Sequence, residues 1–147
     1  MRYVLDTNAV SAVMKGEPNT LDRLKEISRS DVAVPQPVLA ELAYGISRLP
    51  PSRRRERLRE RYERIRSEFP RASWTDEVTD RFGEIKAALE RKKQRIRDFD
   101  AAVAAHALSR GITLVTGNVM HMRRVAGLKI EDWTRPARTG GPGGGSV

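Results

Sequence analysis

Cysteine is absent from all 147 residues, which excludes disulfides, thiolate zinc sites and thiol nucleophiles. Any metal ion must then be held by oxygen ligands or by the two histidines, His106 and His121. No stretch approaches the ~18 consecutive apolar residues of a membrane-spanning helix, and Asp6 interrupts the opening Met1-Arg2-Tyr3-Val4-Leu5 too soon for a signal peptide. The expectation is a soluble, cytoplasmic protein with no membrane partner. A Gly-x-x-x-x-Gly-Lys-Ser/Thr string is missing, so a P-loop is excluded. A haloacid-dehalogenase-like site wants a second aspartate two residues after the first, where this chain has Asn8. No internal repeat is visible.

Acidic charge is the scarcer sign: 19 Asp and Glu stand against 28 Lys and Arg, a formal net charge of +9. Such an excess points to a polyanionic partner, nucleic acid first, because lysine and arginine neutralise phosphates and release counterions. Arg53, Arg54, Arg55, Arg57, Arg59, Arg61, Arg64 and Arg66 crowd one segment. That segment reads equally well as a solvated helix face or as a contact surface. Charge alone does not separate an enzyme acting on RNA from a passive binder, or from a protein whose acidic partner covers the arginines.

The length suits one domain with one core. Residues 2–5 read as a short buried strand, followed by a helix opening at Asp6-Thr7-Asn8 and continuing with Leu21, Leu24 and Ile27 to about Arg29. Val32-Ala33-Val34 before Pro35 reads as a second strand, and 38–49 as a helix broken by Pro50-Pro51-Ser52. A very basic helix to about Phe69, a strand at Ala72-Ser73-Trp74 and a helix from Asp76 to about Lys93 follow, with Thr75 as the cap. An alanine-rich helix runs from Asp98 or Phe99 to Gly111, then Ile112–Val115 reads as a buried strand and Leu128-Lys129-Ile130 as an edge strand. Strands alternating with helices imply a three-layer α/β/α domain on a parallel sheet of four or five strands. The domain is expected to span 1–135; the Gly-rich tail, 136–147, has nothing to bury and is expected to be disordered.

Ligands of an open parallel sheet bind beyond the carboxyl ends of its strands, where Asp6 and Thr116-Gly117-Asn118 fall. Asp and Asn are also good N-caps, so each position alone points first to a cap. Glu41 puts a charge into Val38-Leu39-Ala40-Glu41-Leu42-Ala43-Tyr44, and burying an unpaired carboxylate is expensive. It either pairs with an arginine or faces a polar pocket, and the pocket is the preferred reading. Asp98 and Asp100 flank Phe99; two carboxylates so close repel unless something positive lies near. Acidic groups converging without cysteine suit a hard cation such as magnesium or manganese. A basic surface with an acidic metal site describes a nuclease.

Five segments in order resemble one family: Val4-Leu5-Asp6-Thr7-Asn8, Leu39–Ile46, Phe99–Ala107, Leu114-Val115-Thr116-Gly117-Asn118, and Val125-Ala126-Gly127-Leu128 with Glu131-Asp132-Trp133. Together they look like the ordered motifs of PIN-domain toxins of the VapC type, and the likeness spans Arg2 to Trp133. The resemblance implies that Asp6, Glu41 and Asp100 are the catalytic, metal-binding carboxylates, with Thr7 or Asn8 supporting the first and Asn118, beside Thr116, at the fourth position. It also implies a Mg2+-dependent endoribonuclease, with Mn2+ able to substitute, that cuts structured RNA such as tRNA or rRNA, dimerises and is silenced by a cognate antitoxin. The alternatives are a PIN nuclease for RNA processing outside a toxin–antitoxin system, against which the small size without an added RNA-binding domain argues, and a non-catalytic basic RNA-binding protein, against which the presence of Asp6, Glu41 and Asp100 argues. Where relatives often carry an acidic residue near the end of the fourth motif, this chain has Asn118 and, three residues on, His121. The fourth ligand stays open among Asn118, His121 and Asp98. His106, inside the alanine-rich helix, reads as structural, and the helical hairpin at 37–69 as a partner or dimer surface.

Overall fold

The structure is a computed structural model that describes residues 1–136; the expected disorder of the tail lies, but for Pro136, outside them. Five short strands, β1 (Tyr3–Leu5), β2 (Val32–Pro35), β3 (Arg71–Ala72), β4 (Thr113–Val115) and β5 (Ile130–Glu131), form one sheet in the order β3-β2-β1-β4-β5. Every pairing is parallel. A parallel sheet is covered on both faces, so its central strands are apolar throughout. Accordingly β1 and β2 are buried at every residue.

Seven α-helices among the described residues connect and cover the strands: α1 (Thr7–Lys15), α2 (Pro18–Lys25), α3 (Gln36–Ser47), α4 (Arg53–Glu68), α5 (Asp76–Arg91), α6 (Asp98–Arg110) and α7 (Val119–Met122). The chain moves outward from β1 to β2 and β3, then returns past β1 to β4 and β5. With right-handed crossovers, this reversal puts helices on both faces of the sheet. The result is the expected three-layer α/β/α domain. Asp6, Ser52 and Thr75 cap α1, α4 and α5 by accepting from the backbone N–H of Ala9, Arg55 and Val78, the role that short oxygen-bearing side chains play at helix starts.

Three local readings are corrected. The single helix expected to Arg29 is two, because Gly16 takes a left-handed conformation (φ 74°) and its N–H closes α1 onto Ala12 and Val13, which glycine does without a Cβ clash. Pro18 then opens α2. The third strand is Arg71–Ala72 rather than Ala72–Trp74, because the Pro70 carbonyl already receives Val34 N–H at 2.9 Å and sets the register. Trp74 leaves the sheet and gives its indole N–H to Thr79 at 2.8 Å. The last strand is Ile130–Glu131 rather than Leu128–Ile130, since Leu128 N–H still bonds Val125 within the turn at Gly127. The short helix α7 was not expected. Trp133 is buried edge-on against Tyr3, with ring centroids 5.1 Å apart, and closes the core beside β1.

Candidate active site

Strand order reverses between β1 and β4, and the residues leaving their carboxyl ends face the same crevice. Asp6 leaves β1. It is 4% exposed, and its Oδ1 accepts Ala9 N–H at 2.8 Å, so the residue both caps α1 and borders the crevice. Burial pushes its pKa up to about 6, and the nearby negative charge of Asp100 adds to that; bonds from the Thr116 hydroxyl and from the N–H groups of Ala9 and Asn8 pull it back. Thr116 leaves β4, is buried, and accepts Asn118 N–H at 2.8 Å.

Thr7 supports Glu41 rather than Asp6. Its hydroxyl donates to Glu41 Oε1 at 2.6 Å across the gap between α1 and α3. The exposed Asn8 contributes to Asp6 through its backbone alone. Glu41 meets both of its sequence alternatives: it lies at the crevice and pairs with an arginine, Arg97 Nη2, at 3.0 Å. The same Nη2 reaches Asp100 Oδ1 at 3.2 Å while Arg97 Nε reaches Asp100 Oδ2 at 3.3 Å. One guanidinium therefore bridges the carboxylates of α3 and α6. Those two are only 15% and 14% exposed, whereas Arg97 is 64% exposed. The hydrogen bonds that Arg97 donates to Asp100 hold its guanidinium above its already high ordinary pKa.

Asn118 and His121 join the crevice through each other, with Asn118 Oδ1 and His121 Nδ1 2.7 Å apart. They line a cleft of about 550 Å3 with Arg95, Ile96, Arg97 and Asp100. Asp98 does not join: it pairs with Lys86 at 3.1 Å on the far side of the α6 start. His106 is fully buried, edge-on to Trp74 at 5.4 Å, and burial with the Arg110 charge brings its pKa down to about 4, so it is neutral and packs as a core residue. Among the described residues, no three His, Asp or Glu side chains are arranged to hold an ion as they stand; Arg97 lies between two of the expected ligands. The sequence reading missed Arg97. Its signal was a basic residue three positions before Asp100, the spacing that brings side chains together on one helix face.

The sequence model of the PIN domain matches residues 3–128. The chain belongs to the PIN-domain family. It is 31% identical over 137 residues to the ribonuclease VapC2 of Rickettsia felis, covering 92% of this chain and all of that one. It is 29% identical over 134 residues to a tRNA(fMet)-specific endonuclease VapC of Shigella flexneri, covering 91% and 99%. Among solved structures it resembles VapBC2 of Rickettsia felis bound to a promoter DNA fragment, with a TM-score of 0.80, 29% identity and coverage of 90% and 99%. This PIN domain is thus of the VapC type in sequence and fold.

Two further surfaces of this PIN domain lie outside the acidic crevice. A groove of about 370 Å3 between α1, α2 and α4 has Val13, Leu21, Leu24, Ile65 and Phe69 in its walls and Lys25, Arg61 and Arg64 among its lining charges. On another side, Pro37, Ala40, Trp74, Phe82, Phe99 and Ala102 line an almost purely apolar hollow of similar size. Trp74 and Phe99 remain 47% and 44% exposed there.

Proposed function

We propose that this PIN domain is a metal-dependent endoribonuclease and the toxin of a toxin–antitoxin pair. The observation that carries the reading is the meeting of Glu41 and Asp100, from separate helices, on a single cationic group, with the buried Asp6 close enough to feel the Asp100 charge. These all-oxygen donors fit a hard divalent ion. Asp6, Glu41 and Asp100 would hold Mg2+, or Mn2+ in its place, with Asn118 at the fourth position. When bound, such an ion stabilises charge on phosphate oxygens and makes water a better nucleophile near neutral pH.

The chain's own groups supply orientation. Thr7 holds the Glu41 carboxylate, and Thr116 with the α1 N-terminus holds that of Asp6. Arg95 and His121 border the cleft, where they can meet substrate phosphates. Support for RNA as substrate comes from the +9 charge and the ribonuclease relatives; the Shigella flexneri relative makes tRNA the first RNA to try. An antitoxin partner is supported by the VapBC likeness, and the apolar groove with its basic lining suits a segment that mixes apolar and acidic residues. A second copy of the chain would cover the apolar hollow at Trp74 and Phe99.

The test is cleavage of purified tRNA and rRNA, with Mg2+ and with EDTA, alongside growth on expressing the chain alone. Cleavage should need the metal, and growth arrest should vanish with Asp6→Asn, Glu41→Gln or Asp100→Asn. Undiminished toxicity of all three variants, or cleavage unaffected by EDTA, sinks the assignment.

A further inference from the structure

We infer that Arg97 is a resident counterion of the acidic crevice that a divalent cation must displace, so that this side chain sets how tightly the crevice binds metal. Its guanidinium contacts Glu41 at 3.0 Å and Asp100 at 3.2 and 3.3 Å. Other arginines of the fold are tied to backbone carbonyls: Arg110 to Ser73 and His106, Arg124 to Arg95. Among the described residues Arg97 has no such tie, and its side-chain bonds go to the two carboxylates alone. It reaches them from an open position, 64% exposed, so it can withdraw into solvent without leaving a buried donor unpaired.

Withdrawal leaves the ligands in place. Glu41 keeps its bond from Thr7, and Asp100 stays on the first turn of α6. Two carboxylates facing one site repel when nothing positive lies between them. Arg97 supplies one positive charge there and a divalent ion two, so the ion wins when it is abundant and the arginine holds the site when it is scarce. The inference rests on the metal-dependent reading above.

The experiment is titration of the free protein with MnCl2 in a calorimeter, on wild type, Arg97→Ala, Arg97→Gln and Arg97→Lys, with Asp100→Asn as the site control. Melting in EDTA is recorded for each. Loss of the competing charge should tighten manganese binding by roughly tenfold in the Ala and Gln variants, the scale of one partly screened charge at contact distance. Arg97→Lys should stay near wild type. The Ala and Gln variants should also melt lower than wild type in EDTA and gain more on adding manganese. A purely structural Arg97 would lower the melting point without tightening binding. If Arg97→Ala does not fold, Arg97→Gln, which retains a polar side chain without the charge, carries the comparison. Wild-type binding that is lost in Asp100→Asn but unchanged or weakened in both neutral variants overturns the counterion role and leaves the metal reading standing. Absence of manganese binding in every protein overturns the metal reading and this inference with it.

Discussion

His106 and Asp6 are buried titratable groups that pull stability in opposite directions with pH. His106 has its folded pKa lowered from 6.5 to about 4. As pH falls, the unfolded chain takes up that proton first, so the stability from the neutral ring is complete above about 6.5 and is lost on the way to 4. The loss is about 3 kcal/mol at most. Asp6, raised from 3.8 to about 6, binds its proton first in the folded state. Its contribution is complete below 3.8 and is lost as pH rises through 6. Urea unfolding of His106→Gln in EDTA should therefore show a deficit relative to wild type that shrinks from pH 7 to pH 4, while Asp6→Asn should show its largest gain over wild type near pH 7. Differences that stay constant across this range would show that neither group titrates as its burial implies. At this scale the sequence singled out Asp6, Glu41 and Asp100 but not their partners. Thr7 sits beside Asp6 in the chain and serves Glu41 across 34 positions, a link that exists only once α1 and α3 pack.

The helix α4 shows how local pattern and context divide the work. The break at Pro50-Pro51-Ser52 and the basic helix after it were legible in the residue order; the structure adds that Ser52 caps the helix and that Tyr62 and Ile65 are its buried residues. Its eight arginines are another matter. Among the described residues, only Arg66 of these has a carboxylate within 4 Å, Glu63 at 2.8 Å. Arg57 and Arg61 are exposed, and Arg61 lines the groove against α1 and α2. Exposed charges of this kind contribute only ~0–1 kcal/mol to folding, so Arg57→Glu with Arg61→Glu should leave the melting temperature nearly unchanged. The same double change should weaken association with the antitoxin or with RNA, measured by fluorescence anisotropy at fixed salt. If both associations and dimerisation survive intact, the arginines form a solvated face. Elements that depend on long periodic runs, such as α5 and α6, were legible in the sequence. The break at Gly16, the two-residue β3 and the four-residue α7 were not, because runs so short carry no periodicity and are set by neighbouring strands and turns.

For the whole molecule, the apolar hollow at Trp74 and Phe99 makes self-association the property to measure. Phe99→Lys places a charge in a surface with almost no polar lining, and sedimentation at tens of micromolar should show wild type as a dimer and the variant as a monomer. A wild-type monomer, or a variant dimer of unchanged strength, would assign the hollow another role.

Alternating apolar runs and turn residues determined the α/β/α class and the parallel sheet, because a strand buried on both faces has to be apolar throughout. The same order placed Asp6 and Thr116 directly after strands, hence at the carboxyl edge. What the chain alone could not decide is which charges meet there. Asp98 and Asp100 look alike in sequence, yet the turn of α6 sends one to Lys86 and the other to Arg97. Glu41 was ambiguous between a pocket and an arginine, and packing of α3 against α6 gave it both. Coulomb interactions act over a few ångströms of space rather than along the chain, so only tertiary structure selects the partners.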